Sequence, residues 1–197
     1  QTAKGLWAVY MVVSVACILG YYWAGMTWFD AICHAFSTMG LGGFSTHDAS
    51  FGYFDSPAIE MVAVVFMLIA GMNFATLYLA VASRSLTPYM RDPEAPWFLA
   101  VTLGSVLLVS FYIWANGTYD SEATALRHAL FNVVSIATTT GYASVDYALW
   151  PMFAPIWMLF LSSFATSAGS TGGGIKMIRL QAVLPRTGAR HASVGRL

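Results

Sequence analysis

Long uncharged apolar runs divide the chain into pieces of membrane-crossing length. Four such runs are bounded by charged residues, namely Lys4 and Asp30, Glu60 and Arg84, Glu94 and Asp120, and Asp146 and Lys176. A largely apolar run of about 20 residues is long enough to cross a bilayer as a helix. The pattern therefore predicts four transmembrane helices, of which the last run is longer than one crossing requires.

Two shorter apolar segments, at about 28–39 and 123–137, alternate with these runs. Each is too short to cross a membrane and is followed by a loop rich in Gly, Ser and Thr, which favours a re-entrant helix. The order of span, short helix, loop and span thus occurs twice. At an offset of 98 residues, "DAICHAFSTMGLGGFSTHD" (30–48) and "HALFNVVSIATTTGYASVD" (128–146) share four identities in nineteen positions. The repeated order of elements is the stronger sign of an internal repeat.

Composition and charge place the chain in a membrane and orient it. Hydrophobic residues make up 58% of the sequence and charged residues 9%, whereas soluble domains carry about 25% charged residues. Lys and Arg cluster at run ends on one face, which the positive-inside rule marks as cytoplasmic. Arg127 lies on the opposite face among acidic residues, so both loops are predicted to open outward.

The chemistry of such loops points to a cation. Non-helical backbone is tolerated at membrane depth only where it is buried in protein or lines a water-filled cavity. Rings of backbone carbonyls can replace the hydration shell of a monovalent cation, and glycine permits the backbone angles that this requires. The net charge of zero argues against a nucleic-acid partner, and no hydrolytic constellation indicates an enzyme.

Three motifs resemble one known family. "GGFSTHD" (42–48) and "TTTGYAS" (138–144) resemble the pore loops of the Trk/Ktr/HKT superfamily of potassium transporters, and "AGSTGGGIK" (168–176) resembles its glycine-rich inner-helix break. Within that superfamily the bacterial TrkH-type membrane subunit is most similar. The resemblance implies an all-α membrane protein of repeated helix–pore loop–helix units with re-entrant pore helices, as in a potassium-channel-like pore.

The same resemblance implies a division of the chain and a set of site residues. Residues 1–83 would be a second-type repeat, 84–95 a cytoplasmic linker, 96–180 a third-type repeat and 181–197 a cytoplasmic tail. The expected potassium filter residues are Leu41, Gly42, Gly43, Phe44, Thr138, Thr139, Thr140, Gly141 and Tyr142. The glycine doublet leaves open whether Gly42 or Gly43 corresponds to Gly141.

The glycine-rich segment is the expected gate. It comprises Ala168, Gly169, Ser170, Thr171, Gly172, Gly173 and Gly174. Each glycine destabilises a helix by roughly 1 kcal/mol, so a flexible intramembrane loop is expected. The alternative is close helix packing by small residues, but three consecutive glycines exceed what such packing needs. Lys176 and Arg179 would anchor the following segment at the cytoplasmic face.

Polar residues near the loops have less specific interpretations. His47, Asp48 and Asp146 form either an outer cation vestibule or an ordinary solvated loop, and both readings stay open. His34, His128 and Asn132 lack partners at metal-binding spacing. Because buried polar groups are normally hydrogen-bonded, we expect these three to be satisfied polar groups behind the loops.

The expected function is potassium uptake by a multi-pass protein of the bacterial cytoplasmic (inner) membrane. K⁺ is the transported ion, no organic cofactor is expected, and lipid surrounds the chain. The resemblance further implies a homodimer of the full-length protein and a cytosolic nucleotide-binding regulatory subunit. Alternatives are a secondary transporter with discontinuous helices and a non-conducting membrane scaffold fragment.

Two repeats alone cannot surround an ion. The sequence therefore represents either a partial chain or one half of an assembly of two copies. We favour a partial chain, because residues 181–197 contain no further apolar span.

Overall fold

The chain folds entirely into helices and loops in the part that the structure describes. The computed structural model describes residues 2–85, 87–92, 94–163, 166–167 and 169–173, and these ranges contain no strand. The helices are α1 (Thr2–Trp23), α2 (Trp28–Met39), α3 (Pro57–Gly71), α4 (Phe74–Ser83), α5 (Thr87–Arg91), α6 (Ala95–Ala115), α7 (Glu122–Ala137) and α8 (Phe153–Ser162). The expected all-α fold is confirmed.

Membrane-crossing length is reached by α1 and α6, and by α3 and α4 if they are counted as one bent span. The exposed surface of these helices is apolar, because Val12 on α1 and Leu107 and Phe111 on α6 are each about two-thirds exposed. Side chains of this kind on a helix of this length are typical of a lipid-facing surface. The part of the chain that the structure describes therefore has the exterior of a membrane protein.

The second expected span is not one continuous helix. Helices α3 and α4 meet at an angle of 100°, and Asn73 caps α4 by accepting a hydrogen bond from the Ala75 N–H at 2.9 Å. Hydropathy did not reveal this break because the residues around it are apolar. In the fourth expected span, α8 covers ten residues, and residues 164–165, 168 and 174–176 lie outside the described ranges.

A segment distant in sequence occupies the break between α3 and α4. The Ser167 N–H donates to the Gly71 carbonyl at 3.3 Å, and the Phe74 N–H donates to the Gly169 carbonyl at 3.3 Å. The Thr171 N–H donates to the Ala70 carbonyl at 3.4 Å. Helix ends leave unpaired backbone groups that need such partners, so the glycine-rich segment stabilises the bend.

The two short helices are the centre of the two structural repeats. Helix α2 packs against α1 and α3, and α7 packs against α6 and α8. The repeats join where α7 also packs against α3. This arrangement brings the loops that follow α2 and α7 next to each other, around buried Phe51, Phe131 and Tyr142.

Candidate functional site

The loops after the two short helices share one backbone conformation. Leu41 and Gly43 have positive φ values of 49° and 69°, and Thr139 and Gly141 have values of 62° and 91°. Both pairs are separated by the same 98 residues as the sequence repeat. Since positive φ is uncommon outside glycine, its recurrence at matching positions shows that the loops are structural equivalents.

The hydrogen bonds that end the short helices repeat in the same register. Gly42 N–H donates to Ser37 O, and Thr140 N–H donates to Ser135 O, both at 2.8 Å. The register pairs Gly43, and not Gly42, with Gly141. The structure thus decides the correspondence within the glycine doublet that the sequence left open.

The three loop glycines have different surroundings. A β-carbon at Gly43 would overlap the carbonyl oxygen of Thr140, whereas one at Gly42 would lie 3.2 Å from the Phe44 ring. A β-carbon at Gly141 would have no atom within 4 Å. The two loops therefore touch at Gly43, and Gly141 faces open space.

Both loops contain carbonyl oxygens that accept no hydrogen bond from the residues that the structure describes. They include the carbonyl oxygens of Leu41, Gly42, Gly43, Thr139, Thr140 and Gly141. Carbonyls inside a protein normally find a partner in protein, water or a ligand. These oxygens can therefore bind a cation. The Tyr142 carbonyl differs, since it accepts a hydrogen bond from Ser135 Oγ at 2.7 Å and so faces its own short helix.

Buried polar side chains support both loops from behind in a repeated pattern. Thr46 Oγ1 donates to Asp30 Oδ1 at 2.6 Å, and at the equivalent positions His128 Nδ1 is 3.1 Å from Ser144 Oγ. His34 Nδ1 lies 2.8 Å from the Asp30 carbonyl oxygen. At the equivalent positions of the second repeat, Asn132 Nδ2 lies 2.8 Å from the His128 carbonyl oxygen.

The expectation of satisfied polar groups at positions 34, 128 and 132 is confirmed, and no metal-binding group of His, Cys, Asp or Glu exists among the described residues. Sequence reasoning missed the partners Asp30, Thr46 and Ser144. Asp30 and Thr46 lie opposite His128 and Ser144 in the nineteen-residue alignment at an offset of 98. Polar residues that recur near both ends of this alignment were the available signal.

Asp30 organises the polar contacts of the first loop. Burial acts to raise the pKa of its carboxyl, but hydrogen bonds from Thr46 and Thr27 and the nearby His47 outweigh burial and lower that pKa below its ordinary value. His47 Nε2 lies 3.3 Å from Asp30 Oδ1, and its ring stacks on Tyr53. The Asp30 carboxylate is therefore ionised at neutral pH and fixes the first loop at this point.

The other expected vestibule residues lie at the surface. Asp48 is exposed. Asp146 is also exposed, and its Oδ1 accepts a hydrogen bond from the Ala148 N–H at 3.0 Å. This contact gives Asp146 a role in the local turn, and the vestibule stays a prediction.

Tyr142 connects the second loop to the first repeat. Its side chain is fully buried, and its hydroxyl donates to the His34 carbonyl at 3.2 Å and lies 3.3 Å from Thr38 Oγ1. The ring centroid is 4.5 Å from that of Phe51. Phe44, the equivalent residue of the first loop, is instead 80% exposed.

The glycine-rich segment contacts the ends of both loops nearest the short helices. Thr171 Oγ1 donates to the Met39 carbonyl at 3.0 Å, and the Gly173 N–H donates to Thr139 Oγ1 at 2.7 Å. Thr166 Oγ1 donates to the Gly173 carbonyl at 2.8 Å. The segment therefore closes off the loops from one side. The expected gate residues Ala168 and Gly174, and the expected anchors Lys176 and Arg179, lie outside the described residues.

Arg127 joins the two repeats through ion pairs. Its guanidinium donates to both carboxylate oxygens of Glu60, at 2.9 and 2.7 Å, and to Asp55 at 2.9 Å. The Glu60 hydrogen bonds raise the pKa of Arg127 above its usual value. Glu60 is buried and Asp55 is exposed, so the pair with Glu60 is the energetically important one.

We expect Arg127→Gln to destabilise the full-length protein by roughly 3 kcal/mol, because it leaves the buried Glu60 carboxylate without its partner. Asp55→Asn is the matched control and should cost less than about 1 kcal/mol, since exposed pairs contribute little. Thermal unfolding in detergent measures the loss of stability in each variant. Adding Glu60→Gln to Arg127→Gln should recover part of the loss, because no unpaired charge remains buried. Equal effects of the two single substitutions would contradict this assignment.

The fold and the loops together define an all-α membrane protein of the pore-loop type. Its two short helices end among apolar helices, and each is followed by a loop whose carbonyls accept no hydrogen bond from the described residues. The chain belongs to the TrkH family of cation transport proteins, whose family model matches residues 1–192.

Individual relatives agree with this membership. The chain is 47% identical over 180 residues to the Trk system potassium uptake protein TrkH of Salmonella typhimurium, an alignment that covers 91% of this chain and 37% of the relative. It is 46% identical over 185 residues to the protein of the same name from Halomonas elongata, covering 93% and 38%.

A solved structure agrees as well. The fold matches the crystal structure of the potassium transporter TrkH from Vibrio parahaemolyticus with a TM-score of 0.88 and 45% identity, covering 91% of this chain and 39% of that one. The chain thus spans less than two fifths of the length of these relatives.

Proposed function

We propose that this chain forms part of a potassium uptake pathway across the bacterial cytoplasmic membrane. The observation that carries the proposal is the pair of equivalent loops whose carbonyls at 41–43 and 139–141 have no donor among the described residues. Relatives that are 46–47% identical are named potassium uptake proteins. K⁺ is the transported ion, and the process involves no covalent chemistry.

The orientation of the short helices supports a cation at these loops. Helices α2 and α7 end at Met39 and Ala137, immediately before the loops. The C-terminus of a helix carries a partial negative charge, which stabilises a nearby cation. A potassium ion would exchange part of its hydration shell for the loop carbonyls and move down the membrane potential toward the cytoplasm.

In this proposal residues 1–83 and 96–180 are two helix–pore loop–helix repeats, joined by a cytoplasmic linker at 84–95 and followed by a cytoplasmic tail at 181–197. Helix α5 lies within the linker. Further repeats complete the ring around the ion. A homodimer of the full-length protein and a cytosolic nucleotide-binding regulatory subunit belong to the same proposal.

The glycine-rich segment acts as the gate in this pathway. Its support is geometric, because Thr171 and Gly173 bind the inner ends of the first and second loops respectively. An ion that left the loops toward the cytoplasm would have to displace these contacts. Gly169, with φ of 78°, fits tightly against Asn73, which places the segment at the bend between α3 and α4. Opening would therefore couple to that bend.

We expect Thr171→Val to raise potassium flux through the full-length protein about fivefold, because it removes the hydroxyl bond to Met39 and one such bond is worth about 1 kcal/mol. Potassium efflux from proteoliposomes measures the change. Thr171→Ser keeps the hydroxyl and should behave as wild type. Deletion of residues 168–173 should raise potassium flux further. If potassium flux were unchanged both in Thr171→Val and in the deletion variant, the glycine-rich segment would not be the gate.

The function itself is tested by reconstituting the full-length protein and comparing K⁺ and Na⁺ uptake under an imposed membrane potential. We expect faster K⁺ uptake that saturates with K⁺ concentration. Absence of any ion flux would favour a scaffold. Flux that requires an organic substrate would favour a secondary transporter.

A further inference from the structure

Tyr21 on α1 is a fully buried tyrosine that belongs to neither loop. Its ring lies near those of His34 and Phe51, with centroids 6.4 and 6.1 Å away. The hydroxyl of a buried tyrosine usually has a hydrogen-bond partner. The partner of Tyr21 is Thr38 on α2, whose Oγ1 is 2.7 Å from the Tyr21 hydroxyl. Tyr21 therefore makes a polar contact inside the protein from a helix that otherwise reads as a plain apolar span.

Three buried hydroxyl groups form one chain that begins at Tyr21. The Tyr142 hydroxyl donates its proton to the His34 carbonyl at 3.2 Å. Thr38 Oγ1 lies 3.3 Å from the Tyr142 hydroxyl, so Thr38 is the donor in that contact. The Thr38 proton is then used, and Tyr21 is the donor to Thr38. Because each hydroxyl has one proton to give, donation runs in one direction, from Tyr21 through Thr38 to Tyr142.

The hydrogen bond from Tyr21 keeps the Thr38 proton available to Tyr142. A threonine inside a helix can donate instead to the carbonyl four residues earlier. For Thr38 that carbonyl belongs to His34, which is the acceptor that Tyr142 uses. Without the Tyr21 hydroxyl, Thr38 would be free to turn toward its own helix and compete with Tyr142 for this carbonyl. Loss of one hydroxyl on α1 would thus loosen Tyr142.

Tyr142 passes this constraint to the backbone of the second loop. It directly follows Gly141, and its own carbonyl accepts a hydrogen bond from Ser135 Oγ at 2.7 Å. The residue is therefore held both at its backbone and at its hydroxyl. Carbonyls that discriminate between ions by size must resist contraction around the smaller Na⁺. A firmly held Tyr142 therefore favours K⁺.

We propose that Tyr21 is a specificity-determining residue that favours K⁺ over Na⁺, because its hydroxyl holds Tyr142 and with it the carbonyls of the second loop. Tyr21 is a positioning residue, which acts through Thr38 and not by contact with the ion. The inference rests on the proposed function and adds to it a residue on a membrane-crossing helix, outside the loop motifs.

The test compares K⁺ and Na⁺ uptake by the full-length protein in proteoliposomes under an imposed membrane potential. Tyr21→Phe removes the hydroxyl and keeps the ring. We expect the K⁺/Na⁺ uptake ratio to fall about fivefold, the equivalent of one hydrogen bond, with little change in the unfolding temperature. Tyr22→Phe is the matched control. It makes the same change at a partly exposed ring that stacks on Trp28, and it should leave the ratio unchanged.

A double substitution separates positioning through Tyr142 from a general loosening of the fold. We expect Tyr142→Phe to lower the K⁺/Na⁺ uptake ratio at least as much as Tyr21→Phe. Adding Tyr21→Phe to Tyr142→Phe should lower the ratio no further, because both substitutions break the same chain. Independent, additive losses would show that Tyr21 does not act through Tyr142 and would overturn the proposal.

Thr38→Val breaks the chain at its middle and keeps the shape of the side chain. It should also lower the K⁺/Na⁺ uptake ratio, which keeps the test decisive if Tyr21→Phe yields no folded protein. A K⁺-selective wild type with an unchanged ratio in Tyr21→Phe or in Thr38→Val would reject this inference alone. A wild type without any preference for K⁺ would reject the proposed function and this inference with it.

Discussion

Replacing Gly43 by alanine is expected to abolish potassium transport by the full-length protein and to lower the yield of folded protein severely. Two costs add at this position. Its φ of 69° costs an alanine about 1–2 kcal/mol. In addition, the methyl group would overlap the Thr140 carbonyl. That carbonyl cannot move away cheaply, because the Gly141 N–H of the same peptide group donates to the Ser135 carbonyl. Overpacking of this kind costs about 1–3 kcal/mol.

Gly42→Ala is the matched control for this prediction. Gly42 has no positive φ. Its added methyl would lie 3.2 Å from the Phe44 ring, a side chain that can shift, and at an ordinary contact distance of 3.8 Å from the Ser37 carbonyl oxygen. The yield of folded protein is compared between the two variants by size-exclusion chromatography, and transport is compared by potassium flux in proteoliposomes. We expect Gly42→Ala to fold and to transport with a modest loss. If Gly42→Ala proved as harmful as Gly43→Ala, the register of the first loop described above would be wrong.

Gly141→Ser is expected to leave the protein folded but to reduce its preference for K⁺ over Na⁺, with the ratio moving toward one. The φ of 91° again costs about 1–2 kcal/mol. A side chain here would meet no atom within 4 Å, so the strain would be relieved by rotating the Gly141 carbonyl, which accepts no hydrogen bond from the described residues. That carbonyl is one of the proposed ion ligands, so selectivity should suffer more than stability.

Gly117→Ser separates backbone strain from the proposed role in selectivity. Gly117 has φ of 72° and also has no atom within 4 Å of an added β-carbon, but it lies in the turn after α6. We expect similar losses of stability from the two substitutions and a changed K⁺/Na⁺ uptake ratio only for Gly141→Ser. An unaltered ratio in Gly141→Ser would remove the second loop from the filter.

Much of the local structure could be predicted from short stretches of sequence. The expected short helices at 28–39 and 123–137 correspond to α2 (Trp28–Met39) and α7 (Glu122–Ala137). The 98-residue offset placed Gly43 opposite Gly141, although the choice between Gly42 and Gly43 needed the loop conformation. These features depend on apolar periodicity and on the conformational freedom of glycine, which are properties of the residues themselves.

Sequence by itself determined that this chain is a helical membrane protein with two related loops, because hydropathy and glycine placement act locally. Only the tertiary structure decided the 100° bend between α3 and α4, since backbone groups of residues 167–171 pair with the two helix ends. It also decided that Tyr142 is buried while Phe44 is exposed. Burial and helix bending depend on partners more than 90 residues away in the chain, and no local pattern of residues carries that information.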